Sequence, residues 1–316
     1  MSVFKDPQRR KLFFAKLATF WIPLKPYRQA ARCIMLMGVR KWRAVIKAES
    51  TRKFKYKLAV GAIMKNEGPY LKEWLDYHIL VGVEKFYLYN NGSTDNTADV
   101  VAPYVASGVV ELIDFPGPAR QAAANADAVR RAADEARWLA IIDLDEFLVP
   151  VKHRTITEFL ETLPRNFWSV VVTWVCYGSS GHVKKPDGLV MENYRRHETK
   201  FHGVKSIINP RLAIQIRNPH VNVGAGFIVD ERGRKMWHID QTRNPPSCNI
   251  IRCNHYVTKS YEEYCARHAQ GPADGNPNYK TYRSPERFAA QDTNDVYDDI
   301  MDKYIVQLKS KNKKAK

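Results

Sequence analysis

Asp143, Asp145 and Glu146 stand where an apolar run, Trp138 to Ile142, gives way, and the run resumes at Phe147-Leu148-Val149-Pro150. A carboxylate buried without a partner is costly, so acids set into such a run need compensation. If the strand continued, Asp143 and Asp145, two apart, would point to one face. Two hard oxygen donors at a strand end suit Mg²⁺ or Mn²⁺ held between protein and a diphosphate. The stretch therefore reads as a metal-dependent nucleotide-sugar site. The bland alternative is a strand end whose acids are merely solvated.

Elements that would position these acids are readable upstream. Leu58 to Met64 reads as a buried first strand, followed by the loop Lys65-Asn66-Glu67-Gly68-Pro69. Pro69 suits the first turn of a helix, whose face is marked by Tyr70, Leu71, Trp74, Leu75 and His78. Lys85 to Asn90 is a second strand, and the polar loop Asn91 to Thr97 carries helix-capping residues. A helix to about Val105, a strand over Gly108 to Phe115 and an Ala-rich helix from Arg120 to Ala136 lead to the strand that carries Asp143. Alternating strands and helices predict a mostly parallel, doubly wound α/β sheet. Ligands of such sheets bind at the carboxyl ends of the strands. Three polar loops would converge there, containing Asn66 and Glu67, Asn90 and Asn91, and Asp143 and Asp145.

After Pro150 the pattern changes. Thr155 to Leu163 reads as a short helix, Trp168 to Tyr177 as a strand and Gly178 to Gly188 as a loop. The expected organisation is a basic amphipathic segment over 1–56, a catalytic domain over 57–300 and a basic tail over 301–316. Within that domain, 57–150 would be the nucleotide-sugar half and 151–300 the acceptor half.

The formal net charge is +17, and it is uneven: residues 1–57 hold 16 Lys and Arg against Asp6 and Glu49. The rest of the chain is close to balanced and lacks a nucleic-acid-binding motif, so nucleic acid is not an expected partner. Leu12 to Leu24 is too short and too interrupted for a spanning helix, and it does not follow the pattern of a cleavable leader. Phe13, Phe14, Leu17, Phe20 and Trp21 fall near helical spacing between basic flanks, which predicts a helix lying on an anionic membrane surface. Cys33 to Val39, followed by Arg40-Lys41-Trp42-Arg43, repeats the theme. Lys309 to Lys316 is expected to be disordered and to assist the same contact. Five cysteines, an odd number with no Cys-x-x-Cys pair, argue against a disulfide framework and fit a reducing cytosol.

Four motifs, in order, carry a family resemblance. They are Lys65-Asn66-Glu67 with Tyr70-Leu71-x-Glu73-Trp74-Leu75-x-Tyr77-His78, then Tyr89-Asn90-Asn91-Gly92-Ser93-Thr94-Asp95. The third is Ile142-Asp143-Leu144-Asp145-Glu146-Phe147-Leu148, and the fourth Asn254-His255-Tyr256-x-x-Lys259-Ser260. From about Leu58 to about Arg267 the chain resembles the GT-A-fold glycosyltransferases of family 92 and their family-2-like bacterial relatives. The resemblance implies a Rossmann-like sheet and a metal-dependent, inverting transfer of a sugar, of hexosyltransferase type, from a nucleotide-linked donor. It favours UDP, with Mn²⁺ or Mg²⁺ as cofactor.

By that resemblance Asp143 and Asp145 form the Asp-x-Asp motif, which holds the metal and the donor. His255, and next His220, would complete the metal site. Asn66, Glu67, Asn90, Asn91 and Asp95 would line the nucleotide pocket, with Asn90 or Asn91 standing where many relatives have Asp. Lys205 and Lys259 are candidates for binding the diphosphate as point charges. The proton acceptor is expected among Asp230, Glu231 and Asp240, with Glu198 as an outsider, and Glu146 is expected in support. Trp174, Tyr177, Trp237 and Tyr256 are candidates for stacking on sugar. The expected acceptor is a glycan or lipid-linked glycan, as in lipopolysaccharide or capsule synthesis, at the inner face of a bacterial membrane. A glycoside hydrolase with paired acids, and a non-enzymatic basic protein that binds membrane or nucleic acid, are the competing readings.

Overall fold

The computed structural model of the chain describes residues 7–164, 167–201, 203–216, 222–236, 247–270 and 284–314. Three helices come first: α1 (Pro7–Thr19), α2 (Lys25–Met37) and α3 (Val39–Glu49). Strands and helices then alternate through β1 (Tyr56–Met64), α4 (Gly68–Leu80), β2 (Lys85–Asn90), α5 (Thr97–Ala106), β3 (Val110–Asp114), α6 (Gln121–Glu135) and β4 (Ala136–Ile141). Next come β5 (Glu146–Pro150), α7 (Ile156–Glu161), β6 (Phe167–Cys176), α8 (Val190–Asn193), β7 (Arg196–His197) and β8 (Val204–Ile208). Short strands β9 (Ala213–Ile216), β10 (Asn222–Gly224), β11 (Phe227–Val229) and β12 (Lys235–Met236) precede β13 (Ile251–His255) and α9 (Tyr261–Gln270). The strand β14 (Val296–Tyr297) and a C-terminal helix (Asp302–Lys314) follow.

The main sheet runs β12-β11-β6-β8-β4-β1-β2-β3. From β4 to β3 it is parallel. β8 then inserts antiparallel to both β4 and β6. β13 lies between β5, antiparallel, and β6, parallel.

Alternate residues of β1 serve opposite faces, as a period of two requires. Leu58, Val60, Ala62 and Met64 join the core that holds Leu71 and Trp74 of α4. Ala59 and Ile63 join the core that holds Ala124, Ala128 and Ala132 of α6. This is the doubly wound arrangement expected from the alternation. Burying each large apolar side chain contributes about 1.5–3 kcal/mol, and Trp74, Tyr77 and Phe86 are fully buried. Gly61 lets α6 approach closely, because a Cβ there would lie 2.7 Å from the Cβ of Ala128.

Buried hydrogen bonds fix the strand that leaves the acidic turn. The Trp74 indole N–H donates to the Glu146 carbonyl at 2.8 Å, and the Tyr77 hydroxyl to the Leu148 carbonyl at 3.0 Å. Glu73 accepts from the backbone N–H groups of Val190 and Met191, tying α8 to α4. The Thr155 hydroxyl and the Glu158 carboxylate form a reciprocal capping box at the start of α7.

The two ends of the chain are more packed than the sequence suggests. The Cys33–Val39 segment is divided: Cys33 is buried and Met37 packs with Trp42, Val45 and Ile46 of α3 against the α6 side of the sheet, while Met35 and Val39 are exposed. The basic C-terminal stretch is helical through Lys314 rather than disordered. Tyr304, Ile305 and Leu308 lie on one helix face and are buried, and the Tyr304 hydroxyl reaches the Pro150 carbonyl at 3.3 Å. Among the described residues, no helix is long and apolar enough to cross a membrane.

Candidate active site

The strand does not continue through Asp143 and Asp145. β4 ends at Ile141 and the chain turns before β5 starts at Glu146. The Asp143 N–H donates to the Glu146 carboxylate at 3.0 Å, and the Glu146 N–H donates to the Asp143 carbonyl at 3.1 Å. This turn separates the two aspartates rather than aligning them.

Asp143 goes to Lys205, whose ammonium is 2.7 Å from its carboxylate and 3.1 Å from that of Glu146. Gln121 of α6 also donates to Asp143, at 3.2 Å. Asp145 instead faces His255 at 3.5 Å and Arg267 of α9 at 3.1 Å. The sheet register explains the first contact: β13 pairs His255 with Glu146 on one side and with Cys176 on the other. The Tyr256 N–H closes the corner on the Asp145 carbonyl at 2.8 Å.

Asp145, Glu146 and His255 are all buried, and each offers one ligand atom within 4.8 Å of the others. Both carboxylate oxygens of Asp145 and one of Glu146 are buried without a hydrogen-bond partner. Two carboxylates and an imidazole turned together, with Asp145 facing Arg267 and His255 but accepting no well-aligned hydrogen bond, fit a divalent cation such as Mn²⁺. Glu146, expected in support, stands with the candidate ligands, and Asp143 is engaged by Lys205.

The electrostatics match this division. Burial pushes the Glu146 carboxyl up to about 7, against the opposing pull of Lys205. Burial works in the same direction on Asp145, but Arg267 and then His255 outweigh it and hold that carboxyl well below the usual range. Burial disfavours a charged Lys205, yet Asp143 and Glu146 more than compensate and raise its pKa. Trp174 walls this corner, 4.6 Å from the His255 ring and 5.5 Å from the Lys205 ammonium. Gly203 makes room for that indole, since a Cβ there would meet the ring at 2.0 Å.

A cavity of about 250 Å³ opens beside the cluster, lined in part by Asn66, Glu67, Tyr70, Tyr256, Lys259 and Arg267. Lys259 has a positive φ of 53° and sits 3.6 Å from the centre of the Tyr70 ring. A left-handed lysine is strained, and such strain concentrates at functional sites. Burial lowers the Lys259 pKa, against the pull of Glu67. Burial raises that of Glu67, against Arg267 and Lys259.

The structure brings together some of the expected site residues and not others. Lys205 is fully buried between two acids, so it balances the acidic turn instead of presenting a charge to phosphate. Lys259 lines the cavity. Asn66, Asn90 and Asp95 staple the two polar loops: Asn66 accepts from the Thr94 N–H, Asn90 from the Ser93 N–H, and Asp95 from the N–H groups of Gly68 and Thr97. Asn91 is partly exposed after β2.

Asp230 pairs with Arg234 in a surface turn. Glu231 accepts from the N–H groups of Asn249, Ile250 and Ile251. Ile251 starts β13, about 13 Å of extended strand before His255, so this acid anchors the far end of the strand. Glu198 is buried nearer, with its N–H on the Cys176 carbonyl at 3.0 Å. His220, Asp240 and Trp237 lie outside the described residues. Tyr177 is a core residue held by Asp298 and Arg252.

Arg267 and Gln121 were not anticipated. A local signal for the first was present: Ser260-x-x-Glu263 is a capping box, in which the Glu263 N–H donates to the Ser260 hydroxyl at 3.2 Å and the Ser260 N–H donates to the Glu263 carboxylate at 3.1 Å. It fixes the start of α9 and so places Arg267 two turns along.

The profile of the family described as Glycosyltransferase family 92 matches residues 64–300. A glycosyltransferase family 92 protein of Arabidopsis thaliana is 29% identical over 180 residues, which is 54% of this chain and 31% of that protein. One of Ricinus communis is 28% identical over 224 residues, 67% of this chain and 37% of that protein. The chain thus spans about a third of the length of the curated relatives it matches. Among solved structures, the S. aureus TarS fragment 1–349 overlaps with a TM-score of 0.36 at 16% identity, covering 49% of this chain and 48% of that one. The mannosyltransferase PcManGT of Pyrobaculum calidifontis, in complex with GDP-Man and Mn²⁺, overlaps with a TM-score of 0.31 at 16% identity, covering 52% and 47%. The family profile covers three quarters of the chain, from the end of β1 to the residues before the C-terminal helix, and on that basis the chain belongs to glycosyltransferase family 92.

Proposed function

We propose that this chain transfers a glycosyl group from a nucleotide-sugar donor to an acceptor hydroxyl, with a divalent cation, Mn²⁺ or Mg²⁺, held by Asp145, Glu146 and His255. One observation carries this reading: three buried ligand groups converge within 4.8 Å at the strand ends, and three of their oxygens have no hydrogen-bond partner. A cation bound there supplies Lewis-acid stabilisation of the leaving diphosphate.

The chain's own residues do the rest. Lys259 and Arg267 line the cavity beside the cluster and offer positive charge to a diphosphate. Lys205 keeps Asp143 and Glu146 fixed and charge-balanced. The Tyr70 ring faces the Lys259 ammonium at 3.6 Å and helps hold it in the cavity wall. The acceptor oxygen attacks the anomeric carbon as the bond to the diphosphate oxygen breaks, which inverts that centre, and a carboxylate of the second half takes the proton. A UDP-sugar is the first donor to try, and a glycan or glycolipid the first acceptor class, as in cell-surface polysaccharide synthesis.

Thermal stability measured with UDP, GDP and CDP, each with and without Mn²⁺, tests the reading, because a ligand that binds only the folded state stabilises it. One nucleotide should stabilise the protein in Mn²⁺ and lose that effect in EDTA. Equal stabilisation with and without the metal would remove the cation from the proposal.

A further inference from the structure

The donor site leaves one conspicuous feature unused. Phe13, Phe14, Leu17, Phe20, Trp21 and Leu24 lie within α1 and the turn after it, with exposures from 44% to 69%. Six large apolar side chains within twelve residues make an exposed patch that soluble surfaces rarely carry without a partner.

The fold holds this patch outward. Among its described side chains α1 buries only the small positions Ala15 and Thr19, while α2 buries Ala30 and Cys33. Arg32 of α2 donates to the Thr19 hydroxyl at 2.9 Å, and Arg28 to the Ile22 carbonyl at 2.6 Å, which fixes the turn between the helices. α2 is fastened to the sheet: Tyr27 packs 5.0 Å from Phe227 of β11 and accepts from Lys235 at 2.8 Å. α3 is fastened by the ion pair between Glu49 and Arg211. The Trp21 indole N–H already donates to the Ala18 carbonyl at 2.8 Å, so its ring can enter an apolar medium without leaving a donor unmet.

The charge around the patch selects its occupant. Residues 1–57 carry 16 Lys and Arg against two acids, and one of those acids is the Glu49 already paired. Lys11, Lys16 and Lys25 interleave with the aromatic residues. A second copy of this chain would bring the same excess of positive charge to the contact. Aromatic and aliphatic side chains with cations at their flanks match the interface of a bilayer with anionic headgroups.

We propose that α1 and the turn that follows it seat the protein on an anionic lipid bilayer, with the apolar side chains in the interface and the lysines on the headgroups. α2 and α3 act as the rigid mount. The inference stands on the exposed face and its charge, and does not depend on the donor chemistry.

Flotation of the full-length protein with vesicles tests it. One set is phosphatidylcholine alone, and the other contains about 30% phosphatidylglycerol, at low and high salt. Partition should be at least about tenfold stronger on the anionic set and should fall with salt. The double variant Phe14→Ser/Trp21→Ser should lose most binding, and Lys11→Glu/Lys16→Glu should lose the preference for anionic lipid. These positions are exposed, so an unchanged melting temperature for each variant shows that folding is intact. Equal binding to both vesicle sets, or apolar variants that bind like the parent, would overturn the proposal. So would a dimer formed without lipid and abolished by Phe14→Ser/Trp21→Ser, which would assign the face to a second copy. Failure to bind either vesicle set, with an acidic protein bound instead, would likewise overturn it.

Discussion

The ammonium of Lys205 lies 2.7 Å from the Asp143 carboxylate, and the lysine side chain is fully buried. A lysine in this position is an internal counterion for the acidic turn. Breaking a buried pair by removing one partner leaves the other uncompensated and costs about 3–5 kcal/mol. Lys205→Met should therefore lower unfolding stability by about that amount, read by urea denaturation. Lys259→Met removes a cation from the cavity wall instead. It should weaken nucleotide binding by about tenfold or more with a smaller stability loss, because hydrogen bonds to charged groups contribute about 1.5–3 kcal/mol. Equal stability losses in the two variants would contradict the separation of roles.

Asp145 carries two buried oxygens without hydrogen-bond partners, between His255 and Arg267. Asp145→Asn keeps the shape and removes the charge. At about a hundred times its Kd, a cation stabilises the protein that binds it by about 2.7 kcal/mol. The parent should show such a gain in a Mn²⁺ titration followed by thermal melting, and Asp145→Asn should not. A variant that still responds to Mn²⁺ like the parent would place the cation elsewhere.

How much of this could be read from the sequence depends on how local each cause is. The alternation from β1 to β4 is written in the periodicity, and so the rim that carries Asp145 was placed correctly. The pairing of His255 with Glu146 depends on β13 entering between β5 and β6, yet its motif marked His255. The burial of Lys205 is not legible in the short stretch Gly203-Val204-Lys205-Ser206, where a lysine beside glycine and serine suits a phosphate contact equally well. Only the insertion of β8 between β4 and β6 drives that lysine under the acids, and no residue near it announces the insertion. Asn66, Asn90 and Asp95 sit in the expected loops, but their short polar side chains hydrogen-bond neighbouring backbone. Sequence alone does not distinguish that from ligand binding.

Arg267 stands 3.1 Å from Asp145 and 3.6 Å from Glu67. A fixed guanidinium competes with a divalent cation for Asp145 and offers a fork to a diphosphate. Arg267→Gln should tighten Mn²⁺ binding without nucleotide and weaken nucleotide binding in saturating Mn²⁺, both by about tenfold, the equivalent of about 1.4 kcal/mol. Calorimetric titrations of each ligand separate the two effects. If both affinities fall together, Arg267 only supports the shape of the site.

His78 links the pH response to the frame that carries the site. Its Nδ1 lies 2.8 Å from the Trp74 carbonyl, and its Nε2 accepts from the Leu148 N–H at 3.3 Å. Accepting at Nε2 requires the neutral ring, and burial lowers its pKa to about 3. The folded pKa lies below the ordinary value of 6.5, so the unfolded chain takes up this proton first as pH falls. The stability contributed by a neutral His78 is present above about 6.5 and is lost progressively as pH drops toward 3. Between pH 7 and pH 5 this single group should remove about 2 kcal/mol. His78→Gln destabilises the protein at both values but carries no such proton. Its urea-derived stability should therefore fall by about 2 kcal/mol less than that of the parent over the same interval. Parallel losses in parent and variant would show that β5 is not held by a neutral His78.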